Sequence, residues 1–207
     1  TGLLDIRFIA GNAELVAAVR ADSLDYWRKD AKRNLPELEK TLSERHERAG
    51  ELAYLLEPDL KEARGGLRDI QALRAISLSG AVQVPLEKIS WAESTLNNVR
   101  EALHTASGRG KDRLLFQEQD KVAKILNYKD ADGMMSDVAR AARTVDYLLD
   151  YTWHALEHKG KDGLGRIMRR PRVVNVAKNV SAVEREIIID SLTSFNEDPV
   201  VGLRAAA

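Results

Sequence analysis

Between Glu57 and Asp69 the chain sets four acids, three bases and a double glycine inside thirteen residues, Glu57-Pro58-Asp59-Leu60-Lys61-Glu62-Ala63-Arg64-Gly65-Gly66-Leu67-Arg68-Asp69. Two kinds of chemistry fit those residue types. Glu57 and Asp59 stand on alternate positions before the glycines, and Arg64 and Arg68 follow, so carboxylates and cations can face one site. The glycines precede the helical spacing Leu67, Ile70, Leu73, Ile76, and the N–H groups and macrodipole of a helix start favour an anion. The plainer reading is a structural turn, with Asp69 complementing the helix start and Lys61 and Arg68 in solvent, since ion-pair networks also hold loops. Both readings stay open on the residues alone.

Other clusters carry less. Asp130-Ala131-Asp132-Gly133 has the carboxylates for Mg²⁺ but sits in a break and lacks the further ligand of a calcium loop, so a solvated loop is expected. His154 and His158 are four apart on one helix face, a spacing that surface metal sites share with incidental pairs. Arg166, Arg169, Arg170 and Arg172 read as a solvated basic face that could meet a phosphate or an acidic partner. No Walker loop, Gly-x-Ser-x-Gly elbow or His-Glu-x-x-His pair is present.

The elements that must position these residues are mostly helical. Apolar spacing predicts helices over Ala13 to about Arg28, Leu35 to about Gly50, Leu67 to Ile76, Ile89 to His104, Gln117 to Tyr128 and Met134 to about Gly160. Pro58 holds Glu57 out of the α region, so the chain is extended before the glycine turn. Leu3 to Gly11 alternates around Asp5 and Arg7 and predicts a short strand. Helical spacing is read again at Val183, Ile187, Ile188 and Leu192, and Asp198-Pro199 is read as opening a last short helix through Leu203. The expected class is all-α, a multi-helix bundle with a possible short N-terminal strand.

Composition bounds the partners. Thirty-two basic and thirty-two acidic residues cancel, which disfavours nucleic acid as the main partner. With no cysteine, disulfides, thiolate metal sites and cysteine nucleophiles are excluded. No apolar run is long enough to span a membrane and no signal peptide is evident, so a cytoplasmic location is expected. The start at Thr1 without a Met predicts a segment of a longer protein.

The motif resembles a known family. Leu56-Glu57-Pro58-Asp59-Leu60-Lys61 followed by Gly65-Gly66-Leu67-Arg68-Asp69-Ile70 is similar to the region just after the catalytic core of bifunctional PII uridylyltransferase/uridylyl-removing enzymes. Glu44-Arg45-His46-Glu47-Arg48, Asp112-Arg113-Leu114-Leu115-Phe116, Leu126-Asn127-Tyr128 and Met134-Met135 fall in that family's order. The resemblance implies a nucleotidyltransferase that moves UMP from UTP, or AMP from ATP in an actinobacterial branch, onto a tyrosine of a PII nitrogen-signalling protein. It implies Mg²⁺ held mainly by a catalytic core upstream, and glutamine sensing by domains downstream.

On that resemblance, residues 1–12 are the edge of the nucleotidyltransferase domain and residues 13–207 its helical linker domain. Asp5 is then the carboxylate that would complete a metal site, with others supplied from upstream. Glu57, Asp59, Lys61, Arg64, Gly65, Gly66, Arg68 and Asp69 form a motif that contacts nucleotide or braces the catalytic domain. The segment alone is expected to be inactive. The alternative is a non-catalytic interaction module that docks PII or relays glutamine sensing.

Overall fold

The computed structural model describes residues 2–161, 173–183, 186–189, 198 and 200–206. They divide into two compact units, Thr1–Gly160 and Lys161–Ala207. Arg166, Arg169, Arg170, Arg172 and Leu192, and the His158 side chain, lie outside what is described.

The first unit is a helical bundle, as the spacing predicts. Its helices are α1 (Ala13–Lys29), α2 (Ala31–Ala49), α3 (Leu67–Ser79), α4 (Ser90–Ser107), α5 (Phe116–Ile125) and α6 (Ala131–Lys161). Asn12 caps α1 by accepting the Leu15 N–H at 3.0 Å. Gly80 and Gly108, both left-handed, end α3 and α4. The core is drawn chiefly from α3, α4 and α6, with Ile70, Leu73, Ile76, Leu96, Val99, Leu103, Met134, Val138, Val145 and Leu149 all buried. In α1 only Trp27 is buried, and its indole N–H donates to the Ala75 carbonyl at 2.7 Å, tying α1 to α3.

Three local expectations are corrected. The N-terminal alternation does not form a strand: Gly2–Asp5 is a 3₁₀ turn. Among the described residues nothing pairs with it, and an unpaired segment has no ladder to hold it extended. Helix α2 starts at Ala31 rather than Leu35, because the Asp30 carbonyl accepts the Arg33 and Asn34 N–H groups at 3.0 and 2.9 Å. Asp130 to Gly133 is not an open loop either. The Asp130 carboxylate accepts the Gly133 N–H at 2.8 Å and caps α6, which puts Asp132 and Gly133 in its first turn.

The second unit departs further from the helical reading. Strands β1 (Val173–Ala177), β2 (Val180–Val183) and β3 (Glu186–Ile189) form an antiparallel sheet in that order, followed by α7 (Val201–Ala206). Val183 and Ile187, read as helical, are strand residues because valine and isoleucine are concentrated here and fit a pleated surface. Asn179, at φ +62°, turns the chain between β1 and β2. Asp198 precedes α7, and its carbonyl accepts the Val201 N–H at 3.1 Å.

Candidate functional site

The stretch from Glu57 to Asp69 closes on itself through Asp69. Its side chain is fully buried in the first turn of α3. Arg45 Nη2 donates to Asp69 Oδ1 at 2.5 Å, and the Gly65 N–H donates to Oδ2 at 2.7 Å. His46 Nε2 lies 2.9 and 3.0 Å from the two carboxylate oxygens, and since an ionised carboxylate only accepts, Nε2 carries the proton. Burial pushes the Asp69 pKa up, but the His46 hydrogen bond and the Arg45 charge outweigh it and hold the carboxyl below its ordinary value. Arg45 also donates through Nη1 to the Glu62 carbonyl at 2.7 Å, so one guanidinium fastens both ends of the loop.

The glycines are required by close approach. Gly65 has φ +82°, and a Cβ there would stand 2.5 Å from the Ala142 carbonyl of α6. Gly66 has an ordinary extended backbone, but its Cβ would meet the Ala63 carbonyl at 2.7 Å and the Leu60 carbonyl at 2.9 Å. The double glycine lets the loop pack onto a helix on one side and onto itself on the other.

The N–H groups at the start of α3, expected to be free for an anion, are already engaged. Gly66 donates to Ala63, Leu67 to Leu60 and Arg68 to Lys61, at 2.9, 3.0 and 3.1 Å. With the Gly65 N–H on Asp69, these donors are all met within the chain. The sequence motif therefore has its backbone donors turned inward.

Its remaining charges are partnered as well. Arg64 donates to Asp146 at 2.6 Å and to both oxygens of Asp150 at 2.8 and 3.0 Å on α6, and the Asp146 hydrogen bond raises its pKa further. Glu57 accepts the Phe116 N–H at 3.0 Å, holding the first turn of α5. Asp59 accepts the Lys61 and Glu62 N–H groups at 3.0 and 2.8 Å, forming a local turn that sets Lys61. Arg68 reaches Glu62 at 3.2 Å and is half-exposed. Asp5 is exposed in the N-terminal 3₁₀ turn and is not part of this cluster.

A second cluster lies alongside. Residues Pro58 to Leu60 run antiparallel to Asp112 to Leu114, with Leu60 N–H donating to Asp112 and Leu114 N–H to Pro58, each at 2.9 Å. The Asp112 carboxylate takes Arg100 Nε at 2.6 Å and His104 Nε2 at 2.8 Å from α4, with Lys61 Nζ at 3.9 Å. Burial raises the Asp112 pKa, and the Arg100 and His104 hydrogen bonds overcome that and lower it.

Arg45, His46, Arg100, His104 and Asp112 are the partners that motif reading did not assign to the site. Arg45 carried a signal: it falls in the series Leu35, Leu38, Leu42, Arg45, Ala49 on the inward stripe of α2. A cation on an apolar stripe predicts a buried acid opposite. Arg100 and His104 are four apart on α4, the spacing at which two side chains share one partner.

Comparison with known proteins shows the family of the chain. The sequence pattern of the family described as GlnD PII-uridylyltransferase matches residues 33–79 and 84–153, which include both aspartate clusters and more than half of the chain. The chain belongs to that family. A bifunctional uridylyltransferase/uridylyl-removing enzyme of Streptomyces coelicolor is 42% identical across the full chain, which covers 26% of that relative. One of Mycobacterium tuberculosis is 32% identical, again across the full chain and 27% of the relative. A third, of Cereibacter sphaeroides, is 36% identical over 75% of the chain. The chain thus spans about a quarter of the length of the Streptomyces coelicolor and Mycobacterium tuberculosis relatives. No solved structure matches it.

Proposed function

We infer that this chain is the helical part of a nucleotidyltransferase that moves UMP, or AMP, from the nucleoside triphosphate onto a tyrosine of a PII signalling protein in the cytoplasm. The observation that carries this reading is the family match across residues 33–79 and 84–153, with the Glu57–Asp69 motif inside it. Residues 1–12 would then border the catalytic domain and residues 13–207 form the linker beyond it. The role that suits the geometry is bracing. A stretch whose backbone donors and charges are engaged internally offers a rigid wall to a neighbouring catalytic domain.

Mg²⁺ finds no ready site among the described residues. Among the described residues no group of three or more His, Asp or Glu could hold a metal ion, and Asp5 is a single exposed carboxylate. It would serve only together with carboxylates from outside the chain. On this reading the chain by itself would be inactive.

A second reading, a non-catalytic module that docks PII or relays glutamine sensing from other domains, is favoured by the same inward-turned donors. The experiment uses the intact enzyme with labelled UTP or ATP and a PII protein. Label on a PII tyrosine from either nucleotide supports the transferase reading, and none from a folded enzyme refutes it. Arg68→Ala and Asp69→Ala then test the motif. If both keep normal transfer, nucleotide affinity and melting temperature, the motif has no central role.

A further inference from the structure

A cleft of about 660 Å³ opens where the N-terminal 3₁₀ turn meets α1 and α2, and it shares no residue with either aspartate cluster. Leu3 and Leu4 line it from the turn, Asp22, Tyr26 and Trp27 from α1, and Asn34 from the start of α2. Asp22, Tyr26 and Trp27 stand at i, i+4 and i+5 and so share one face of α1. The walls are mainly apolar, with the Asn34 amide and the Asp22 carboxylate set among them.

The polar atoms of the two aromatic residues are spent elsewhere. The Trp27 indole N–H donates to Ala75, and the Tyr26 hydroxyl accepts from Arg33 Nη2 at 2.7 Å. Asn34 is different. Its Nδ2 is buried without a hydrogen-bond partner, and it is the one such side-chain atom among the described residues. Folded chains leave few buried donors unmet, because each has given up its water for nothing. Asp22 is exposed and makes no hydrogen bond or ion pair among the described residues. A water can meet the amide, but it leaves the apolar walls of the cleft uncovered.

These features select an occupant. Nδ2 is a donor and takes an acceptor oxygen. Asp22 is the only charged residue on the lining, so an anion is repelled and an ammonium attracted. Arg33, beside the Tyr26 hydroxyl, is already paired with Asp30 at 3.1 Å and does not reverse that sign. The faces of Tyr26 and Trp27 also favour a cation, the leucines favour an aliphatic body, and the volume suits a small ligand.

We propose that this cleft binds a small cationic amide, with an aliphatic group among Leu3, Leu4 and Trp27, a carbonyl on Asn34 Nδ2 and an ammonium toward Asp22. An amino-acid amide with an aliphatic side chain carries all three groups. The site is independent of the transferase reading, and its test involves no transfer reaction.

The test is an NMR titration of the 207-residue chain with leucinamide, leucine and N-acetyl-leucine at about pH 6.5, where a free α-amino group is charged. Leucinamide should shift the Asn34 side-chain amide and the Trp27 indole resonances saturably. Leucine, which adds a carboxylate, should bind at least about fivefold more weakly, and N-acetyl-leucine, which has only the negative charge, at least about tenfold more weakly. Asn34→Leu removes the unmet donor and should weaken leucinamide at least about tenfold, read at Trp27, with the melting temperature unchanged or raised. Asp22→Asn should weaken it at least about fivefold. Glu14→Gln makes the same charge change at an exposed position of α1 outside the cleft and should alter affinity less than about twofold. No saturable shift with leucinamide at millimolar concentration overturns the proposal. So does N-acetyl-leucine binding as tightly as the amide, full affinity in Asn34→Leu, or equal weakening by Asp22→Asn and Glu14→Gln.

Discussion

Two aspartates, Asp69 and Asp112, each gather an arginine and a histidine, and they differ in where the water is. Asp69 is fully buried, with a nearly buried arginine, whereas Asp112 is 11% exposed and its Arg100 is 35% exposed. Chemically alike clusters then do different work. A buried ion pair adds little over an apolar substitute, but breaking one side leaves a charge with no solvent, so it fixes one arrangement strictly. A cluster at the rim is forgiving, because water can reach its members when one partner is removed.

The largest effect expected from this contrast is at Asp69. Asp69→Ala strands Arg45 and the Gly65 N–H and should cost about 3–5 kcal/mol, read from urea unfolding; a loss below that of Asp112→Ala would break the comparison. Gly65→Ala should follow, at about 2–3 kcal/mol, from positive φ and the clash with the Ala142 carbonyl. Asp112→Asn should cost about 1–2 kcal/mol, because water replaces part of what is lost.

Acid sharpens the same contrast. Both carboxyls are held below their ordinary pKa in the folded state, so their stabilisation is complete above about pH 3.9, the unfolded value, and is lost as pH falls through the folded values. Asp69→Asn should flatten the acid limb of the stability curve more than Asp112→Asn does. The smallest effect belongs to the exposed pair of Arg68 and Glu62: Arg68→Ala should change stability by less than about 0.5 kcal/mol in the same unfolding experiment.

The sequence carried the helices because their apolar spacing is local, and it singled out the Glu57–Asp69 stretch because that charge density is local too. Its partners were harder to read. Asp69 is tied to Arg45 and His46 across a loop, and Gly65 is a glycine because of Ala142, far along the chain. Such reasons exist only once α2 and α6 pack against the loop. The same blindness produced the expectation of an anion site. Donors free in an isolated helix start are taken here by Asp69 and by the carbonyls of Leu60, Lys61 and Ala63. In the second unit, short β-branched runs admit helix or strand, and pairing among three strands decided it.

The central claim is that the motif's donors are engaged within the chain, and residue-level amide hydrogen exchange on the free protein tests it most directly. Slow exchange is expected at Gly65, Gly66, Leu67 and Arg68, and Asp69→Asn should release Gly65 before α3. Exchange at all four as fast as in an unstructured peptide would contradict it and return the helix start to an open anion site.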